Sequence, residues 1–286
     1  MLYLSQTSFP NRKFKFLNDI AKPFLRWAGG KTWLLKHLAD LQLDYANYHE
    51  PFLGGAAVFL YLRPKRSIFL SDLNSELVHT YMAIKDDVSK VIIELKKFQN
   101  TETEYYRIRQ ANFTNDYRRA AKFVFLNQTS FNGIYRVNLK GQYNVPYGFR
   151  NVPIYDPENL LEISAILKKA KLYAGDFSSV SKHLKENDLV FLDPPYTVTH
   201  NNNGFVKYNQ KLFSLDDQYR LSNLIDDIKL KKAYYILTNA AHNKIEEIFE
   251  KGDTKVQLTR ASLIGGTNAK RGQFAELLFT NIYSFK

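Results

Sequence analysis

The chain has 286 residues, 45% hydrophobic and 24% charged, with a formal net charge of +12. That length holds one large α/β domain, or one domain carrying a smaller insert. The lack of cysteine excludes disulfides, thiolate metal sites and a cysteine nucleophile, and no stretch approaches the roughly 18 consecutive apolar residues of a membrane span.

The basic excess is concentrated. Residues 1–36 hold seven Lys/Arg against Asp19, and residues 105–150 hold eight against Asp116, while the rest is close to neutral. Two basic segments in a balanced chain imply a polyanionic partner, most simply nucleic acid. The opening MLYLSQTSFPNRKFKF lacks the apolar core of a secretory signal, so a cytoplasmic protein is expected. His37, His49, His79, His183, His200 and His242 show no ligand-like spacing, and no metal site is expected.

In chain order, helical patterns fall at 31–42, 56–62, 74–98, 157–170, 178–186, 215–230 and 243–250. Between them lie short apolar runs that end in an acid. NYH precedes Glu50, SIFLS precedes Asp72, KLYAG precedes Asp176 and LVFL precedes Asp193, whereas AYYIL ends in Thr238 and Asn239. Strands alternating with helices predict a parallel, doubly wound α/β sheet whose ligands bind at the carboxyl ends of the strands. Any one such acid can be a helix N-cap; four in succession along one sheet edge point to a site.

Residues from about 100 to 155 break this rhythm. EYYRIRQANF and RRAAKFVFLNQ read as basic helices. FNGIYRVNLKGQYNVPYG then reads as a β-hairpin turning at Gly141, with Tyr and Phe interleaved among Arg, Lys and Asn. This is a module inserted between the second and third strands.

AGGKT at 28–32 mimics the end of a phosphate-binding loop, but Leu25 stands where that motif needs its first glycine, so a nucleotide triphosphatase is excluded. EPFLGGAAVFL (50–60) is a strand end opening through small residues into a helix, where a ligand approaches the backbone closely. Asp72, about twenty residues on, is placed to accept both ribose hydroxyls of a nucleoside cofactor. The spacing suits a dinucleotide or S-adenosylmethionine equally.

Asp193-Pro194-Pro195-Tyr196 decides between them. With FLRWAGGK (24–31), EPFLGGAAVF, SDLN (71–74), FNGIYRVN through NVPYG (131–148) and GGT…RGQFAELLFTN (265–281), it makes nearly the whole chain resemble the Dam-like DNA adenine-N6 methyltransferases. The motif order is cofactor segment, recognition insert, DPPY. The resemblance implies a Rossmann-like catalytic domain (1–75 and 156–286) and an inserted helical and β-hairpin recognition domain (76–155). It also implies S-adenosylmethionine as cofactor without a metal, and double-stranded DNA as substrate. The expected activity is methylation of a flipped-out adenine in GATC or a GAT-containing site. The expected state is a monomer, in some settings paired with a restriction endonuclease that acts on the same site without touching it.

By the same resemblance Asp193 and the Pro194 carbonyl accept the hydrogens of the adenine amine, and Tyr196 stacks on the flipped base. Trp27 and Lys31 lie beside the cofactor, Glu50, Phe52 and Gly54 under its methionine part, Asp72 on its ribose and Asp176 near its adenine. Ala56 departs from the family's second glycine and adds a methyl group there. In the insert, Phe131 wedges beside the displaced base, and Asn132, Ile134, Arg136 and Pro146 read base edges. Arg26 reaches another guanine, and Lys140, near the hairpin turn, touches phosphate. The alternatives are N4-cytosine methylation, modification of an RNA or protein amide, and a DNA-binding relative without activity. The first two favour Ser or Asn before Pro-Pro, and the last would lose Asp193 or the Trp27–Lys31 pair.

Overall fold

The computed structural model describes residues 21–39, 43–196, 213–261 and 273–283. Most of the basic N-terminal segment, the end of the expected 31–42 helix, His200 and the GGT stretch (265–267) lie outside the described residues.

A seven-stranded sheet organises the chain. Strands β1 (Tyr48–Glu50), β2 (Ile68–Asp72), β3 (Ala170–Ala174), β4 (Leu189–Leu192), β5 (Tyr234–Ala240), β6 (Thr254–Ala261) and β7 (Gln273–Thr280) lie in the order β3-β2-β1-β4-β5-β7-β6. The first five pair in parallel, with Tyr48 opposite both Ile68 and Leu189. Strand β7 runs antiparallel between β5 and β6. The parallel sheet expected from the sequence is thus present in β1 to β5, and β6 and β7 extend it antiparallel. TKVQLTRA alternates apolar with polar residues, and an antiparallel partner needs no crossover helix to announce it.

Alternation along the strands sends side chains to two separate cores. Leu189, Phe191, Ile236 and Leu278 join one apolar cluster, while Val190, Leu192, Tyr235, Leu237, Leu277 and Phe279 join the other. The period of two is that of a strand buried on both faces. Helices α1 (Leu35–Leu38), α2 (Ala57–Leu62), α3 (Ser75–Leu95), α4 (Glu102–Gln110), α5 (Asp116–Thr129) and α6 (Pro157–Leu167) supply the first cluster. Helices α7 (Leu215–Leu230) and α8 (Asn243–Phe249) supply the second. This is a doubly wound, Rossmann-like α/β fold. Its strand order reverses between β1 and β4, the switch point where such sheets bind ligands.

Local chemistry reshapes two expected elements. The 178–186 helix is a 3₁₀ helix over Phe177–Lys182. Asp176 accepts from Ser178 N at 3.0 Å and Ser179 Oγ donates to the Asp176 carbonyl at 2.7 Å, bonds that compete with α-helical pairing. The expected hairpin turns at Gly141 (φ 74°), but its arms meet only at two isolated bridges, Val137 with Tyr143 and Ser130 with Tyr147. Backbone bonds at these bridges, such as Asn138 N to the Gln142 carbonyl at 2.8 Å, are supplemented by side chains. Asn138 Oδ1 accepts from Lys140 N and Gln142 N, and Tyr143 donates its hydroxyl to the Ile134 carbonyl at 2.7 Å.

The insert shares its core with the sheet. Tyr105 and Ile108 of α4 and Phe125 of α5 belong to the same cluster as Leu70 and Leu189, and α3 packs on β2, β3 and α6 as well as on α5. The segment 24–27 is tied to α5 by side-chain bonds. Asn127 accepts Arg26 N at 2.7 Å and donates to Arg26 O at 2.8 Å, while Gln128 donates to Phe24 O.

Candidate active site

The strand ends gather the acids along one edge. Glu50 ends β1, Asp72 ends β2 and Asp193 follows β4 directly, so Glu50 and Asp193 flank the switch point. Glu50 is buried and accepts the Tyr48 hydroxyl at 2.7 Å. Burial pushes its carboxyl up to about 8; the Tyr48 bond opposes this, and the charges of Asp193 and Asp72 add to it. Burial likewise raises Asp72, against hydrogen bonds from the Asn74, Gly54 and Leu73 amides. Asp72 receives Gly54 N on one oxygen at 3.0 Å and Asn74 N on the other at 2.9 Å.

Asp193 has a cation. Lys31 Nζ stands 2.8 Å from Asp193 Oδ1, donates to the Gly29 carbonyl at 2.8 Å, and lies 5.0 Å from the Tyr196 ring centroid. Thr238 Oγ1, on β5, donates to the same Asp193 oxygen at 2.8 Å. Burial raises the Asp193 carboxyl, while Lys31 and Thr238 pull it back. Lys31, expected beside the cofactor, is thus joined to the DPPY acid itself. Thr238, expected at the strand end, lies within β5, which continues to Ala240, and joins the same acid.

Trp27 covers the glycine turn. A Cβ at Gly54 (φ 46°) would stand 2.7 Å from the indole, so only glycine fits there. The same indole stacks on Tyr135 of the insert, with centroids 5.8 Å apart. Ala56 caps α2 with a left-handed backbone (φ 59°), so its methyl carries conformational strain as well as bulk. Phe52 stacks on Phe177 at 5.4 Å and packs edge-on against Phe213. Asp176 lies two residues past Ala174, the β3 partner of Asp72, where it caps the 3₁₀ helix and pairs with Arg220 at 2.7 Å.

In the insert, Phe131 is 52% exposed, and its amide donates to the carbonyl of the exposed Pro146 at 2.9 Å. Asn132 beside it has a left-handed backbone, φ 54°. Ile134 is half-buried. The Arg26 side chain lies over Gly133, where any Cβ would collide with it. Arg136 is exposed and held by Asn144, through Nε to Oδ1 at 2.8 Å and through a terminal nitrogen to the backbone carbonyl at 3.1 Å. Lys140 is exposed at the turn.

The insert's basic charge is divided. Arg107, Arg118 and Arg119 pair with Glu104, Glu94 and Glu76. Arg26, Arg136, Lys140 and Arg150 have no acidic partner within 4.0 Å among the described residues.

Glu276 was missed in the sequence. It is 2% exposed on β7, accepts the Tyr196 hydroxyl, and lies 3.7 Å from Lys31 Nζ. A lone carboxylate inside the apolar run FAELLF is a legible signal, because a central strand tolerates one only when it is paired. Among the described residues no group of three His, Asp or Glu side chains is arranged to hold a metal, and no helix is long and apolar enough to cross a membrane.

A Rossmann-like sheet with DPPY and a glycine turn at its switch point defines a nucleoside-dependent transferase. Residues 27–262 match the model of the D12 class N6 adenine-specific DNA methyltransferases. The chain is 37% identical over 243 residues to the type II methyltransferase M.MjaIII of Methanocaldococcus jannaschii, covering 77% of this chain and 84% of that one. It is 33% identical to the type II methyltransferase M1.LlaDCHI of Lactococcus lactis subsp. cremoris, covering 91% and 95%. Against the DNA adenine methylase of Escherichia coli the identity is 27%, covering 92% and 97%. The chain belongs to the D12 class N6 adenine-specific DNA methyltransferases. It is an adenine-specific DNA methyltransferase, which sets aside the cytosine, amide and inactive alternatives. Membership implies S-adenosylmethionine as the methyl donor.

Proposed function

We propose that this enzyme transfers a methyl group to N6 of an adenine rotated out of a duplex, within GATC or another GAT-containing site. The observation that carries this reading is Asp193-Pro194-Pro195-Tyr196 at the switch point, with two donors fixing Oδ1 of the acid.

The donor set suits the cofactor. Glu50, Asp72 and Asp193 converge, and each carboxyl is raised by burial, so a cationic nucleoside is favoured there. S-adenosylmethionine, when bound, supplies an electrophilic methyl on a sulfonium. Asp72 would take the ribose, with Asp176 near the adenine and sharing its carboxylate with Arg220. Trp27 and Lys31 would flank the cofactor, and Glu50, Phe52 and Gly54 would wall its methionine part.

An adenine amine is a poor nucleophile because its lone pair is delocalised into the ring. Asp193 and the Pro194 carbonyl would accept its two hydrogens and turn the lone pair toward the methyl group. With Oδ1 engaged by Lys31 and Thr238, the amine approaches Oδ2. The two prolines hold the carbonyl in place before reaction, so little reorganisation is needed. Tyr196 would stack on the displaced base.

Residues 76–155 would form the recognition domain, against a catalytic domain of 1–75 and 156–286. Phe131 would wedge beside the displaced base, Asn132, Ile134, Arg136 and Pro146 would meet base edges, Arg26 would reach a second guanine, and Lys140 would touch phosphate. The proposed enzyme is a cytoplasmic monomer that needs no metal, and the names of its type II relatives support a place beside a restriction endonuclease. Incubation with labelled cofactor and duplex, digestion to nucleosides and single-base methylation sequencing test base and site together. A labelled nucleoside other than N6-methyl-2′-deoxyadenosine, or methylation spread over sites lacking GAT, overturns the reading.

A further inference from the structure

Glu276 stands outside the row of strand-end acids. It faces the site from within β7, opposite Ala240, and its neighbours Leu277 and Leu278 are buried. Its Oε2 accepts the Tyr196 hydroxyl and lies 3.7 Å from Lys31 Nζ. That ammonium lies 2.8 Å from Asp193 Oδ1 and 5.0 Å from the centroid of the Tyr196 ring. Glu276, Tyr196 and Lys31 thus close a circuit, carboxylate to phenol, ring to ammonium and ammonium to carboxylate, and Asp193 joins it at Lys31.

Charge balance among the described residues does not require this acid. Asp193 already neutralises Lys31, and a second buried carboxylate costs several kcal/mol unless its contacts repay the desolvation. Among the described residues its contacts include the hydroxyl that fixes the tilt of the Tyr196 ring and the cation that orients Asp193. We propose that Glu276 is a positioning residue for methyl transfer, anchoring the Tyr196 ring for the flipped base and holding Lys31 between two carboxylates. It acts through those side chains and does not touch the base. This rests on the roles given above to Asp193 and Tyr196.

The test uses the full chain and a duplex carrying 2-aminopurine at the target adenine, whose emission reports unstacking and stacking of the flipped base. Glu276→Ala should lower the single-turnover rate on ordinary duplex by roughly 10²-fold, the scale of a small misplacement at the reacting atoms. It should also change the emission of the bound 2-aminopurine duplex, while calorimetry shows cofactor and duplex affinity retained. Tyr196→Phe should reproduce the emission change, and adding Glu276→Ala to it should change the emission no further. Glu276→Gln keeps an acceptor for Tyr196 and loses the charge. It should keep the wild-type emission and move the acid limb of the pH–rate profile to lower pH, because the Glu276 charge raises Asp193.

Wild-type rate and emission in Glu276→Ala would overturn the proposal. So would unchanged emission in Tyr196→Phe, or a rate loss in both Glu276 variants matched by lost cofactor affinity and lower melting temperature. If Glu276→Ala does not fold, Tyr196→Phe and Glu276→Gln carry the test. Failure of the wild-type chain to methylate adenine N6 brings down the functional reading instead, whereas an active wild type with neutral Glu276 variants brings down only this inference.

Discussion

The Lys31 ammonium and the Asp193 carboxylate meet at 2.8 Å across the mouth of the site, one before β1 and the other after β4. Removing the acid leaves Lys31 with a second carboxylate, Glu276, within 4 Å. Asp193→Ala is therefore expected to fold and to bind cofactor, while methyl transfer falls by on the order of 10³-fold or more, the loss of a preorganised electrostatic contact to the reacting group. Calorimetry and single-turnover transfer measure the two halves, and a near-wild-type rate would remove Asp193 from the chemistry.

The Glu50 carboxyl, pushed up to about 8 from an ordinary 4.5, ties binding and stability to pH. Its folded value is raised, so its contribution to stability is full below 4.5 and is lost as pH rises through about 8. A cationic cofactor favours the ionised form, so binding should release a proton, and affinity should rise with pH until about 8, by at most about tenfold per unit. Calorimetry in buffers of different ionisation enthalpy counts that proton. Glu50→Gln should flatten the dependence; an unaltered pH profile in that variant would assign the proton elsewhere.

Ala56 holds φ at 59°, and its left-handed backbone costs about 1–2 kcal/mol for a residue with a Cβ. Ala56→Gly relieves that strain, offset by the greater freedom of glycine in the unfolded chain. The net expected gain is about 1 kcal/mol, or roughly 2 °C in Tm for a chain of this size. Thermal unfolding of the two proteins decides it, and a lower Tm for the glycine variant would show that the methyl group's packing outweighs the strain.

Arg136 is braced by Asn144, whose side-chain oxygen and carbonyl both accept from the guanidinium. If it reads a guanine, Arg136→Ala should cost about 1–3 kcal/mol of discrimination at one base pair. Asn144→Ala should lose part of the same discrimination. Lys140→Ala should weaken all duplexes alike and lower the salt slope of binding by about one. Equilibrium binding to duplexes altered one pair at a time separates these outcomes. An even loss of affinity across them would make Arg136 a backbone contact.

Much of the fold was legible because the parallel strands are short apolar runs that stop at an acid. Periodicity alone located α2, α3, α7 and α8 to within a few residues. It failed where side chains compete with backbone bonds: Asp176 and Ser179 tighten 177–182 into a 3₁₀ helix, and Asn138 and Tyr143 bond across a hairpin whose backbone pairs at only two bridges. The convergence of Glu50, Asp72 and Asp193 could be read from strand-end position. The links from Lys31 and Glu276 to Asp193 and Tyr196 could not, because they join residues 31, 193, 196 and 276, which no local spacing relates. Charge counting could not show that three of the insert's arginines pair with glutamates, all of which lie before residue 105.

The side-chain amide of Asn127 imitates a neighbouring strand for the single residue Arg26, taking its N–H at 2.7 Å and giving a hydrogen to its carbonyl at 2.8 Å. Arg26 is followed at once by Trp27, which roofs the glycine turn, and Asn127 is followed four residues later by Phe131. The backbone of one residue is thus common property of the proposed reading surface and the proposed methyl-donor pocket. A shift at either must break two hydrogen bonds or be passed to the other. Any preference that a bound duplex confers on cofactor must be returned in equal measure by cofactor on duplex. Whichever substrate arrives first, the second meets a partly set surface, and the order of arrival becomes a matter of concentration.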